Sequence, residues 1–205
     1  MMPNGSAKQV LTPAELRTLR SLHTPAKIQR FLDDMPYHHG KTAWSPRLVL
    51  ENRQAHCLEG ALFAAAALRA NGFPALLWDL ESVRDDDHVL AVFQVNKHWG
   101  AIGKSNFAGL RYREPVYRSL RELAMSYFDS YFNLAGERTL RAFATKPVDL
   151  KRFDSREWMT TTEDLWYIAE YLCEIPHTKV LTPAMEKRLT RIGARNMAAG
   201  STGRQ

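Results

Sequence analysis

The chain has 205 residues, of which 45% are hydrophobic and 24% charged, an ordinary globular composition that excludes wholesale disorder. The longest apolar stretch, Ala61–Leu68, is far short of the roughly 20 residues a membrane span needs. The opening MMPNGSAKQV lacks the apolar core of a signal peptide, and two cysteines, Cys57 and Cys173, cannot build a disulfide framework or a Cys-rich zinc site. The expectation is a cytoplasmic chain with reduced thiols. Lys and Arg outnumber Asp and Glu by 28 to 22, giving +6, but the arginines are scattered from Arg17 to Arg204. Without a basic run or an aromatic stacking pattern, no specific nucleic-acid partner is expected.

In chain order, three helix starts are well marked. Thr12-Pro13-Ala14-Glu15 offers a capping threonine, a proline at the first helical position and a glutamate three residues after the cap. Thr24-Pro25 repeats the start, with Ile28, Phe31, Leu32 and Met35 following at helical spacing, and Ser45-Pro46 opens a third, short helix. CLEGALFAAAALRA, from Cys57 to Ala70, ends at Asn71-Gly72 and is apolar nearly all round, so it is expected to be the buried central helix.

Pro74–Leu80 and Val89–Val95 are short apolar runs between turn or charged residues and predict buried strands. Trp99–Lys104 predicts a third, joined to the second by a tight turn of either Asn96-Lys97 or Asn96–His98. Ser119 caps a helix reaching about Tyr127, Thr139–Ala144 predicts a strand, Thr162 starts a helix carrying Leu165, Ile168, Ala169 and Leu172, and Thr182-Pro183 starts a last one. The order implies an α+β chain, with one domain over 10–195, a core over 45–107 and flexible tails at 1–9 and 196–205.

Cys57 falls in the first turn of the most buried helix, where free backbone N–H groups and the helix dipole favour a thiolate. A thiol nucleophile needs a proton acceptor, usually an imidazole held by a third polar group. Of seven histidines, His88 stands apart, because it opens the apolar strand HVLAVF directly after Asp85-Asp86-Asp87. His38-His39 reads as surface rather than metal-binding, and His56, next to Cys57, should point away from it. Antiparallel partners sum to a constant. A sum of 193 sets His88 opposite Ser105, and 194 sets it opposite Asn106. Asn106 is the first choice for holding the ring, Ser105 the second and Asp87 the third. The Cys57 N–H is the default oxyanion donor, with Gln54 a side-chain candidate. Gly100–Ser105 mimics the end of a phosphate-binding loop, but position 98 is histidine and no helix pattern follows, so nucleotide binding is set aside.

Cysteine at a helix start, a helix ending at NGFPALLWDL, histidine 31 positions after the cysteine, and HWGAIGKSN closing the hairpin together resemble the transglutaminase-like superfamily. The resemblance covers about 45–107. It implies a papain-like core, a central helix on a small antiparallel sheet, with Cys57 as nucleophile and His88 as base. Where the family usually has aspartate after the hairpin tryptophan, this chain has Lys104, Ser105 and Asn106, and Asn106 is the replacement the resemblance suggests. The expected activity is acyl transfer through a Cys57 thioester on a peptide, protein or small amide (or ester) substrate, with water rather than an amine as acceptor and no cofactor or metal. The alternative is a non-catalytic peptide- or protein-binding module that retains the fold.

Overall fold

The computed structural model describes residues 10–204. The first half alternates caps and helices as the sequence dictates. Thr12, Thr24 and Ser45 each accept a hydrogen bond from a backbone N–H of the first turn, and each is followed by proline, opening α1 (Pro13–Ser21), α2 (Pro25–Asp33) and α3 (Pro46–Asn52). The central helix α4 runs Cys57–Ala70, and every residue from Leu58 to Leu68 is buried.

A seven-stranded, wholly antiparallel sheet follows: β1 (Leu76–Ser82), β2 (His88–Val95), β3 (His98–Ile102), β4 (Arg113–Tyr117), β5 (Leu140–Ala144), β6 (Val148–Asp149) and β7 (His177–Lys179). Its order is β4-β3-β2-β1-β5-β7, with β6 also pairing with β1. Both faces are covered. Leu77, Val89, Ala91, Phe93 and Ile102 pack with α4, while Trp78, Leu80, Leu90, Val92 and Ala101 pack with Leu123 and Tyr127 of α5 (Leu120–Tyr127). Burial of both faces explains why β1 and β2 read as continuous apolar runs rather than alternating ones. Leu62, Phe63, Ala66, Val92 and Phe93 are buried, and Leu76 is only half-buried at the start of its strand.

The β2–β3 turn is the two-residue one. Asn96 and Lys97 have φ of 50° and 65°, the left-handed pair of a type I′ hairpin, and partners such as Ala91 and Ile102 sum to 193. Pairing ends at Ile102, so β3 stops short of the expected Lys104. Strands β4, β6 and β7 had no sequence signature, being short and mostly polar on one side. Helix α6 (Trp166–Glu174) begins four residues after Thr162, and α7 (Pro183–Glu186) is a single turn and not the last helix. Residues 196–200, expected as part of a tail, belong instead to α8 (Ala194–Gly200), where Gly200 lies against the Phe132 ring and Met197 near Gly136. Residues 1–9 of the other expected tail lie outside the described residues. No helix among the described residues is long and apolar enough to cross a membrane.

Candidate active site

Cys57 is brought to the sheet by the packing of α4 on β2, and His88 by the start of β2 itself. Both line one cleft of about 200 Å³, together with Tyr37, Asn106, Leu110 and Tyr131. The sulfur lies against the main chain on either side of His88: Sγ is 3.9 Å from the Asp87 carbonyl, and the Val89 N–H points at it.

The electrostatics differ from the expectation of a preformed thiolate. Burial is the largest influence on the Cys57 thiol, and the Asp79 and Asp86 carboxylates add to it, outweighing the N–H groups of Val89 and Leu58. The thiol is pushed up to about 11. Burial pushes the His88 imidazole down to about 4, and the nearby Arg113 charge acts in the same direction. At neutral pH the site therefore holds a neutral thiol and a neutral imidazole. The field of the helix start is real, but desolvation of the charged form wins.

His88 is 4% exposed and its ring sits edge-on to Tyr131, with centroids 6.4 Å apart. Its Nε2 lies 2.8 Å from the Leu110 carbonyl oxygen. A carbonyl only accepts, so Nε2 carries the proton and Nδ1 is the bare, basic nitrogen of the neutral ring. Gly103 makes room for this placement. A Cβ there would stand 3.3 Å from Nε2 and 2.5 Å from a Leu90 methyl.

The three residues weighed as partners of His88 have separate fates. The ladder sum of 193 would set Ser105 opposite His88, but its Oγ accepts from the Phe107 N–H at 3.0 Å and closes a turn. Asp87 accepts from the Ser82 N–H at 2.7 Å, tying off the acidic loop. Asn106 stands in the cleft wall with Cys57 and His88. The Leu110 carbonyl had no sequence signal at all, since every residue carries one. Tyr37 was also missed. Its backbone bridges to Ala55, its ring lines the cleft, and its phenol faces the Cys57 N–H. Lys104 points into the protein and donates to the Leu32 and Met35 carbonyls at the end of α2, so the apparent phosphate-loop lysine is a helix cap.

Next to the cleft lies a second polar cluster. Glu59, fully buried in the first turn of α4, accepts from His38 Nδ1 (2.9 Å), the His56 N–H (3.1 Å), Thr42 Oγ1 (2.6 Å) and the Trp44 N–H (3.2 Å). His38 is therefore not the surface residue it was expected to be, and it stacks on Trp44 at 4.0 Å. His56 points away from Cys57, its Nε2 donating to the Thr42 carbonyl at 2.7 Å. The ligand atoms of His38, His56 and Glu59 lie within 4.8 Å of one another, as a metal would require. Yet four donors occupy the four lone-pair directions of the carboxylate, and His56 Nε2 is itself a donor, so this arrangement fits a hydrogen-bonded hub and not a cation site. A third pair, His177 and Asp79, meets at 3.0 Å across 98 residues of sequence. Burial raises the Asp79 carboxyl, and the bond to Asp79 raises the His177 imidazole. A larger cavity, about 700 Å³ between 145–152 and 171–176, adjoins His177 through Ile175 and Pro176 but is lined by no thiol or imidazole.

No protein-family model matches the chain, and no curated protein matches it either.

Proposed function

We propose that this chain is a transglutaminase-like cysteine acyl-transfer enzyme with a papain-like core formed by α4 and β1–β3. One observation carries the reading: a thiol at the start of the central helix and an imidazole whose Nε2 is engaged by a carbonyl line the same small cleft. Because both groups are neutral at rest, proton transfer accompanies attack. Nδ1 of His88 takes the thiol proton as Sγ of Cys57 adds to the carbonyl carbon, and the imidazolium returns that proton to the departing amine or alcohol. The resulting Cys57 thioester is cleaved by water, with His88 again accepting the proton, which releases a carboxylic acid and restores the thiol. Asn106 lines the cleft beside both groups. A cavity of about 200 Å³ suits one side-chain amide or a short acyl group rather than a large ligand.

The test is acylation by p-nitrophenyl acetate at neutral pH, followed by mass mapping of the acetyl group. Rapid acetylation of Cys57 that disappears in His88→Gln and is followed by turnover supports the enzyme. Acetylation confined to the exposed Cys173, or none, leaves the fold as a peptide- or protein-binding module.

A further inference from the structure

We infer that the main-chain carbonyl of Leu110, clamped by Arg113 and Tyr127, is the group that orients His88, and that these two side chains are positioning residues for the acyl-transfer reading proposed above, on which the assignment rests.

Three consecutive carbonyls, those of Gly109, Leu110 and Arg111, each accept from a different side chain. Gly109 accepts from Arg113 Nη2 at 2.7 Å, Leu110 from His88 Nε2 at 2.8 Å, and Arg111 from the Tyr127 hydroxyl at 2.8 Å. The middle carbonyl is thus held by bonds to both of its neighbours. Arg113 is anchored in turn. Its Nε bonds Ser126 Oγ at 3.0 Å, Nη1 bonds the Tyr112 carbonyl at 3.0 Å and Nη2 also reaches the Ser126 carbonyl at 3.0 Å. Its guanidinium lies 4.0 Å above the Tyr127 ring, which is fully buried on α5. One planar, always-charged group therefore ties β4, α5 and the 108–110 turn together, a task for which the rigid fork of arginine is better suited than lysine.

An orienting group for a catalytic imidazole has two tasks: to fix the tautomer and to hold the ring plane. A carbonyl performs both. It accepts only, so it fixes the proton on Nε2, and once the clamp immobilises it the ring cannot swing. It differs from a carboxylate in carrying no charge to stabilise the imidazolium. The groups facing the ring are Cys57 from α4, Tyr131 and Arg113, with Asp87 preceding it in the chain. The positive Arg113 opposes a second positive charge. Burial and Arg113 outweigh the pull of the Leu110 carbonyl toward the protonated ring, so the clamped His88 rests as a neutral base that takes a proton as sulfur attacks.

The experiment uses the full chain, with ¹⁵N-labelled histidine NMR assigned by His88→Gln, alongside the rate of acetylation by p-nitrophenyl acetate. In the unaltered protein His88 should show a protonated Nε2 and a bare Nδ1 at neutral pH. Tyr127→Phe, which removes one hydroxyl and keeps the ring, should bring in the other tautomer and slow acetylation about tenfold, or roughly 1.4 kcal/mol of barrier. Arg113→Lys should do so more strongly and also raise the pH at which His88 protonates if the remaining ammonium sits farther from the ring. An unchanged tautomer and rate in folded Tyr127→Phe, or an Nδ1–H form in the unaltered protein, overturns the assignment while Cys57 acetylation keeps the enzyme reading alive. A Cys57 that never acetylates, even with the tautomer as stated, ends the enzyme reading and with it any positioning role.

Discussion

Two polar clusters flank the start of α4, and they are built on opposite principles. Around Glu59, every lone pair of a buried carboxylate is met by a donor, and the donors come from His56 just before α4 and from the 38–44 segment. Around Cys57 and His88, the buried groups keep one capacity in reserve: the thiol is protonated and Nδ1 is bare. A cluster that is fully satisfied holds chains together; a cluster kept short of satisfaction, inside a cleft, is poised to exchange a proton. The difference separates the structural histidines, His38 and His56, from His88, although all three are largely enclosed.

The sharpest way to break that comparison is Glu59→Ala. It strands the four donors that converge on the carboxylate, so the loss should be about 3–5 kcal/mol in denaturant melts, as when one partner of a buried polar network is removed. A loss under about 1 kcal/mol would show that water replaces the carboxylate and that the hub is not a structural one.

Acid should reach the other cluster first. Folded His88 protonates near 4, while an unfolded histidine does so near 6.5. Between those values the unfolded chain takes up the proton first, so stability falls as pH is lowered, by about 3 kcal/mol in total from this group. His177 works in the opposite sense. Its imidazole is raised by Asp79, so its stabilisation is present at low pH and is lost as pH rises through its folded value. Thermal melts across this range, repeated on His88→Gln, isolate the His88 contribution. Equal slopes in both proteins would mean that the imidazole takes up its proton as readily in the folded as in the unfolded state.

Alkylation distinguishes a poised thiol from a preformed thiolate. With Cys57 pushed up to about 11, iodoacetamide at neutral pH should label the exposed Cys173 faster, although burial and nearby carboxylates raise the Cys173 thiol too. Faster labelling of Cys57 would restore the thiolate expected from the helix start. The smallest expected effect belongs to Asn106→Ala. If the Leu110 carbonyl orients His88, acetylation should fall by less than about threefold, under 1 kcal/mol of barrier. A fall as deep as that of His88→Gln would return the orienting role to Asn106.

Much of the route to the cleft was legible in the sequence, because it is written in local chemistry. Proline after a capping hydroxyl sets three helix starts, and Asn71-Gly72 marks the end of α4. Apolar runs mark β1 and β2, and the Asn96-Lys97 turn fixes the hairpin register. The strands that escaped notice, β4, β6 and β7, are held by partners far along the chain rather than by their own composition.

What the sequence by itself determined is where the candidate nucleophile and base stand: Cys57 at a helix start and His88 at a strand start. Short-range spacing and capping suffice for that. Only the tertiary structure decided their protonation and their partners. The degree of burial, the reach of Asp79, Asp86 and Arg113, the pairing of His177 with Asp79, and the Leu110 carbonyl under His88 all depend on chain crossings tens of residues apart. A backbone acceptor leaves no letter in a sequence, and desolvation is a property of everything packed around a group rather than of the group itself.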